Sequence, residues 1–185
     1  MPFGTLWLPV VVSTVAVFFA SFLVHMVLKY HKADVKQLPN EEAVRDALGK
    51  GSLAPGQYMT PYCVDNKQMK EPAMQEKFKK GPVAIVTVFP NGSDMAKHMA
   101  LWVGFCLLAS FTAAYIARHT LSVAAAPRQI LQITGAVAFV AYGYGNFVDT
   151  IWRGQPWGTT IRALIDSLIY AIVTAMIFCW LWPKG

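Results

Sequence analysis

The sequence predicts an all-α membrane protein, a four-transmembrane-helix bundle with a small α/β surface cap between helices 1 and 2. Its composition is 55% hydrophobic and only 14% charged, which is too apolar for an ordinary soluble domain. Four apolar stretches are each close to the roughly 20 residues that cross a hydrocarbon core as a helix. They cover residues 6–28, 99–116, 130–147 and 163–182. Because lipid offers no partner to a bare peptide group, such segments are expected to be helical.

The first apolar stretch predicts transmembrane helix 1 within residues 1–29. It lacks a basic leading region and a small-residue cleavage pattern, so we expect a retained anchor rather than a signal peptide. The later stretches predict transmembrane helices at residues 98–118, 127–152 and 160–183.

Residues 30–97 are predicted to form a membrane-surface loop domain with its own secondary structure. Asn40 is expected to cap a short helix that ends near Gly49. A second helix is expected over Pro72–Lys80, with proline at its start and Gly81 as its stop.

Residues 83–89 are rich in β-branched side chains and predict a strand, followed by a turn at Pro90, Asn91 and Gly92. A single apolar strand is not stable unpaired in water. It is therefore expected to pair with residues 57–62, to pack on the bundle, or to meet a partner.

Lysine and arginine residues near the span ends predict the orientation. They are more numerous beside the long loop than on the opposite side, which carries Arg118, Arg128 and Lys184. The excess of positive charge on cytoplasmic loops then places the long loop in the cytoplasm and both termini outside.

The formal net charge of +6 does not predict a nucleic-acid partner. Most of the Lys and Arg residues lie in the long loop, where most of the acidic residues are interspersed with them. Such mixed charge is typical of a solvated membrane-surface segment rather than of a phosphate-binding stripe. The expected partners are the lipid bilayer and either another membrane protein or a second copy of the chain.

Two His-Met pairs are candidates for a cofactor site. His25 and Met26 end the first span, His98 and Met99 begin the second, and His31 lies nearby. In an up-down bundle these ends share one membrane face, where imidazole and thioether groups are suitable ligands for copper or haem iron. Interfacial histidines and buried methionines are also ordinary, so the sequence alone leaves the cofactor unknown.

Charged residues around the last hairpin predict a structural brace. Asp149 with Arg153, and Arg162 with Asp166, have the i, i+4 spacing that places two side chains on one helix face. Asp166 falls inside an apolar span, where an ionised residue is costly and often functional. A proton or substrate role for Asp166 is the alternative.

The third span has the densest set of small residues. Their spacing lets two helix backbones approach closely, and this predicts a helix-packing face. Its members are Gly135, Ala138, Ala141, Gly143 and Gly145. Tyr142, Tyr144 and Asn146 are candidates for lining a ligand or quinone pocket, or for hydrogen bonding to a neighbouring helix.

Known catalytic patterns are missing from the sequence. It has no phosphate-binding glycine loop, no paired nucleophile and base, and no metalloprotease helix. We therefore expect a non-enzymatic accessory or scaffolding subunit, packing with itself or with a larger complex such as a respiratory or photosynthetic electron-transfer assembly. The alternatives are a copper-, haem- or quinone-binding membrane protein and a small transporter or channel.

Four short motifs also suggest a family. They are Asn40-Glu41-Glu42, residues 55–59, residues 74–82 and Ile151-Trp152-Arg153. With these motifs in this order, the chain resembles an uncharacterised family of small four-span bacterial inner-membrane proteins. The resemblance implies a bacterial inner membrane and four spans, and it supplies no activity or site residue.

Overall fold

A computed structural model describes residues 3–90 and 94–183. The chain divides into two compact units. The helical unit is formed by the described residues of Met1–Lys36 and Met95–Gly185, and the mixed unit by those of Gln37–Asp94. Residues 30–36 thus belong to the helical unit rather than to the predicted loop domain, because their side chains bond to the last helix.

The described secondary structure comprises helices and one pair of strands. The strands are β1 (Gly56–Thr60) and β2 (Ala84–Val88). The helices are α1 (Trp7–Phe22), α2 (Glu41–Lys50), α3 (Asn66–Met69), α4 (Pro72–Lys80), α5 (Met95–Thr120), α6 (Pro127–Gly143), α7 (Gly145–Arg153) and α8 (Trp157–Trp180).

In the helical unit, α1, α5, α6 and α8 pack side by side in alternating directions. One buried cluster joins the start of α1 to the end of α5, the start of α6 and the end of α8, and it includes Val10, Ala114, Ile130 and Phe178. A second cluster lies further along the same four helices and includes Val17, Cys106, Ala138 and Tyr170. The predicted up-down order of helices is therefore present.

Among the described residues, three helical segments are long and apolar enough to cross a membrane. They are Gly4–Val27, Met95–Thr120 and Trp157–Trp180, with mean hydropathies of 2.3, 1.8 and 2.0. At about 1.5 Å per residue each exceeds a hydrocarbon core of about 30 Å. These helices support a multi-pass membrane protein.

The predicted third span, residues 127–152, is not one continuous helix. The structure divides it at Tyr144 into α6, with 17 residues, and α7, with 9 residues. Gly143 and Gly145 flank this break, and glycine lowers helix stability. At about 25 Å, α6 is shorter than a typical hydrocarbon core.

Two glycines of the predicted packing face, Gly135 and Gly143, lie against α8. A Cβ added to Gly135 would lie 3.3 Å from the Ala175 Cβ, and one added to Gly143 would lie 3.2 Å from the Leu164 side chain. Ala138 is fully buried and Ala141 half-buried. Gly145 differs, because a Cβ there would meet nothing within 4 Å in the described part of the chain.

In the mixed unit, β1 and β2 pair antiparallel with Tyr58 opposite Val86. This confirms the first of the three alternatives for the predicted strand. Helix α4 has the predicted bounds and ends at Gly81. Asn40 precedes α2, but its backbone is left-handed and its side chain makes no cap bond to the described residues. The predicted turn at Asn91 and Gly92 lies outside the described residues.

Candidate functional site

The end of α1 is shaped so that the chain turns back toward α8. A wide helical turn over Leu23–Val27 follows α1, with the Leu28 N–H bonded to the Leu23 carbonyl at 3.1 Å. Such wide turns are frequent at functional sites. Lys29 then has a φ of 53°, a left-handed conformation that ends the helix. The next turn, Tyr30–Ala33, carries Tyr30 and His31 to Asp166 of α8.

Asp166 is the centre of the site. It is 4% exposed, and an isolated carboxylate is costly to bury. Tyr30 donates its hydroxyl to Asp166 Oδ1. His31 Nε2 lies 2.8 Å from Asp166 Oδ2, and His25 Nε2 lies 3.8 Å from the same oxygen. Two imidazoles and a phenol therefore surround one buried carboxyl group.

The second ring nitrogen of each histidine is held by an acceptor. His31 Nδ1 lies 2.6 Å from Asp34 Oδ2, and His25 Nδ1 lies 3.0 Å from the Ser21 carbonyl oxygen. A carbonyl and an ionised carboxylate only accept hydrogen bonds, so both Nδ1 atoms are donors. The two rings stack with centroids 4.5 Å apart and planes within 3°. Both Nε2 atoms are thereby directed toward Asp166.

Arg162 orients Asp34 in turn. Its Nε donates to Asp34 Oδ1 at 2.7 Å, and a second guanidinium nitrogen contacts the same oxygen. Burial alone would raise the pKa of the Asp34 carboxyl, but hydrogen bonds from His31 and Arg162 outweigh it and hold the pKa below its ordinary value. Asp34 is therefore a charged acceptor for His31.

This arrangement suits a metal ion. Ligand atoms of His25, His31 and Asp166 all lie within 4.8 Å of one another. A tetrahedral ion with bonds of about 2.1 Å needs ligand atoms about 3.4 Å apart, so small side-chain movements would complete the set. Metal-bound histidines commonly donate their other N–H to a carboxylate or a backbone carbonyl, as His31 and His25 do here.

The predicted charge brace is only half correct. Asp149 and Arg153 pair at 2.8 Å, with both side chains exposed. The pairing of Arg162 with Asp166 is wrong, because Arg162 bonds to Asp34 and Asp166 bonds to His31 and Tyr30. Spacing along one helix could not reveal that the end of α1 supplies these partners.

The hairpin between α7 and α8 is joined instead by two buried hydroxyl groups. Thr150 and Thr160 contact each other through their Oγ1 atoms, and the Gln155 amide donates to Thr160 at 3.3 Å. Both threonines are buried. Neutral side chains carry this contact, so the spacing of charged residues along the sequence does not reveal it.

The predicted candidates His25, Met26, His98 and Met99 all line one groove of about 320 Å³. Of these four, His25 also belongs to the Asp166 cluster. Sequence reasoning missed Tyr30 and Asp34. A Tyr-His-x-x-Asp run directly after a membrane span, in a chain with an intramembrane aspartate, is the signal that points to them.

The other polar candidates on the third span are distributed differently. Tyr142 is buried, with its ring centroid 5.4 Å from that of Tyr170. Tyr144 is exposed, and the Asn146 amide donates to the Gly143 carbonyl of its own chain segment at 3.0 Å. These three side chains do not form one pocket.

No family model, no curated protein and no solved structure matches the chain.

Proposed function

We propose that the chain is a multi-pass membrane protein that binds a divalent transition-metal ion through His25, His31 and Asp166. One observation carries the proposal. The Nε2 atoms of two histidines and an oxygen of a buried carboxylate converge, while both Nδ1 atoms are already held by acceptors. Such preorientation is what a metal site requires of its ligands.

The position of His25 supports a metal over a hydrogen-bond network alone. Its Nε2 points toward Asp166 from 3.8 Å, which is too far for a hydrogen bond. His31 Nε2 and Asp166, at 2.8 Å, are joined by one hydrogen bond. A divalent cation in place of the proton of that bond would bond to all three groups and would compensate the charge of the buried carboxylate.

The ligand types narrow the class of metal. Two imidazole nitrogens and one carboxylate oxygen suit Zn²⁺, Fe²⁺, Co²⁺ or Cu²⁺, whereas Ca²⁺ and Mg²⁺ prefer oxygen ligands. Three protein ligands leave at least one coordination position for water or another molecule.

Metal titration of the purified protein tests the proposal. Protein in mild detergent is stripped with a chelator and titrated with Co²⁺, whose visible spectrum reports coordination by nitrogen and oxygen. We expect one ion per chain in the wild type. Changes at the ligands, His31→Ala and Asp166→Asn, should weaken binding by about 100-fold or more, because changes behind the ligands alone cost about 10- to 100-fold.

Matched controls come from other helices of the same unit. His119→Ala and Asp149→Asn alter an exposed histidine and an exposed carboxylate outside the site, and they should leave Co²⁺ binding unchanged. Equal Co²⁺ affinity in wild type, His31→Ala and Asp166→Asn would refute the proposal.

A second candidate function is the accessory or scaffolding role, in which the chain packs with a larger membrane assembly. It is supported by an apolar patch on the mixed unit. Met59 and Ile85 are cross-strand partners, and each is more than 40% exposed. Purification in mild detergent should then recover a membrane partner with the wild type, but not with Met59→Lys combined with Ile85→Lys. Equal recovery with both forms would count against this role.

We further propose a bacterial inner membrane with the mixed unit on the cytoplasmic side, from the charge bias and the family resemblance. Cys63 is half-buried in the mixed unit and reports its side. A membrane-impermeant thiol reagent should label Cys63 only after intact spheroplasts are permeabilised. Labelling of Cys63 in intact spheroplasts would show the opposite orientation.

Helix α6 together with α7 is proposed as the fourth crossing. Support comes from the packing of α6 along much of α8. Ile130 shares a buried cluster with Phe178, and Gly143 lies beside Ser167. Four crossings place both termini on one side, whereas three place them on opposite sides. Protease access to tags at the two ends distinguishes these cases.

A further inference from the structure

A groove between α1 and α5 adjoins the proposed metal site. Its volume is about 320 Å³, and its walls include the aromatic rings of Phe18, Phe22 and Trp102. Both helices belong to membrane-length segments. A molecule in this groove would therefore be taken from the apolar phase of the membrane.

Polar groups in the groove wall are largely satisfied by one another. The Ser21 hydroxyl donates to the Phe18 carbonyl at 2.8 Å and accepts from Trp102 Nε1 at 2.9 Å. A sugar, a nucleotide or a free ion would find few bonding partners along this wall, and its desolvation would be costly. The wall instead suits an apolar body that needs hydrogen bonds or coordination at one end.

The proposed metal site provides that polar end. His25 lines the groove and is also one of the three converging ligand residues. His31 stacks on one face of the His25 ring, and the His25 side chain remains 47% exposed. A molecule in the groove can thus reach the edge of the metal site.

We infer that the groove binds a lipid-soluble, oxygen-bearing ring of the quinone class, with its ring among the aromatic side chains and an oxygen directed past His25 to an open coordination position of the metal ion. The coordination of that oxygen rests on the proposed function. Binding of the ring in the groove does not. Aromatic walls favour a flat ring over a flexible acyl chain, because ring faces and edges pack in preferred geometries.

Two measurements on the full chain test the inference. Decylubiquinone is titrated into protein in lipid nanodiscs by calorimetry, with and without Co²⁺, and the visible spectrum of the Co²⁺-loaded protein is followed. We expect saturable binding to both forms and a shift of the Co²⁺ band on addition of the quinone. Decane should not compete for the site.

Two pairs of variants localise the binding. Met99→Trp adds a large side chain inside the groove and should weaken quinone binding by about tenfold or more. Leu101→Trp makes the same addition on α5 at a position 62% exposed outside the groove, and it should not weaken binding. Phe22→Leu removes an aromatic wall and should weaken binding, whereas Phe19→Leu, on an exposed neighbour, should have no effect.

The outcomes separate the two proposals. If quinone binds but Co²⁺ does not, the metal-site proposal is refuted and the binding of the ring in the groove is supported. Quinone affinity equal in wild type and Met99→Trp would overturn the inference whatever the metal result. Competition by decane would also overturn it, because the groove would then be an acyl-chain site. A Co²⁺ band that does not respond to bound quinone would overturn the coordination of its oxygen.

Discussion

The two ends of the helical unit are built from the same four helices but are held together differently. At one end, Val10, Ala114, Ile130 and Phe178 form an apolar cluster. One indole bond, from Trp182 Nε1 to the Val123 carbonyl at 3.2 Å, also ties that end together. At the other end, a network of ionisable side chains joins the segment after α1 to α8.

This difference shows that the four helices can pack together without a network of ionisable side chains. Helices in lipid associate through close packing and a few hydrogen bonds, which is how the apolar end is held. The polar end carries two histidines and two aspartates in contact, with an arginine beyond them. Partly buried charges are costly to assemble, and the proposed metal-binding role accounts for their presence at one end.

The largest expected effect comes from adding side chains to the face that joins α6 to α8. A Cβ on Gly143 would lie 3.3 Å from Ser167, the neighbour of Asp166. Gly143→Leu should therefore destabilise the unit by about 3 kcal/mol, the upper part of the usual range for overpacking, and should also weaken Co²⁺ binding. Thermal unfolding in detergent and Co²⁺ titration measure the two effects.

Two further substitutions sharpen this comparison between the ends. Gly135→Leu meets Ala175 on the same face, further from Asp166, so it should lower stability and spare the affinity for Co²⁺. Gly145→Leu adds its side chain where a Cβ meets nothing within 4 Å among the described residues, and it should change neither. Equal loss of metal affinity in both α6 variants would show that the ends are not independent.

A smaller effect is expected when Arg162 is replaced. Arg162→Gln leaves Asp34 as a partly buried carboxylate without its guanidinium partner, which should cost about 2 kcal/mol. The same change at Arg153 breaks an exposed pair and should cost less than about 1 kcal/mol. The free energies of unfolding of the two variants then compare a partly buried ion pair with an exposed one.

The salt dependence of the Arg162 and Arg153 variants adds an independent check. Raising the ionic strength should reduce the small contribution of Arg153 to the free energy of unfolding. Most of the contribution of Arg162 should remain, because exposed charges are screened more strongly than buried ones. Equal costs for the two substitutions would mean that the Arg162 to Asp34 contact is an ordinary surface pair.

Periodic and compositional features of the chain could be predicted from the sequence. The apolar stretches and the bounds of α4 depend on local composition. The need to pair an exposed strand made the pairing of β1 with β2 one of three alternatives. The break at Tyr144 was missed because apolar content continues through it. Hydropathy does not report where a helix is interrupted.

The candidate site was predicted only in part, for a physical reason. His25 and Asp166 were visible as unusual residues in apolar spans. The bonds from Tyr30 and His31 to Asp166 depend on the left-handed Lys29 and on the turn that follows it, which a single sequence does not specify. The same turn brings Asp34 to Arg162, 128 positions away along the chain. Partners so distant cannot be found from i, i+4 spacing.

The smallest expected effect tests how far the polar end extends along α1. Trp102 Nε1 donates to the Ser21 hydroxyl at 2.9 Å, and the Ser21 carbonyl accepts from His25 Nδ1. Trp102→Phe keeps an aromatic ring but removes this donor, which should cost about 1 kcal/mol of stability. Co²⁺ affinity should fall by only a few-fold, because Ser21 still supplies its carbonyl. Trp157→Phe, at a 58% exposed ring, is the control. Unchanged stability and affinity in Trp102→Phe would limit the polar end to the histidines and the acidic residues they contact.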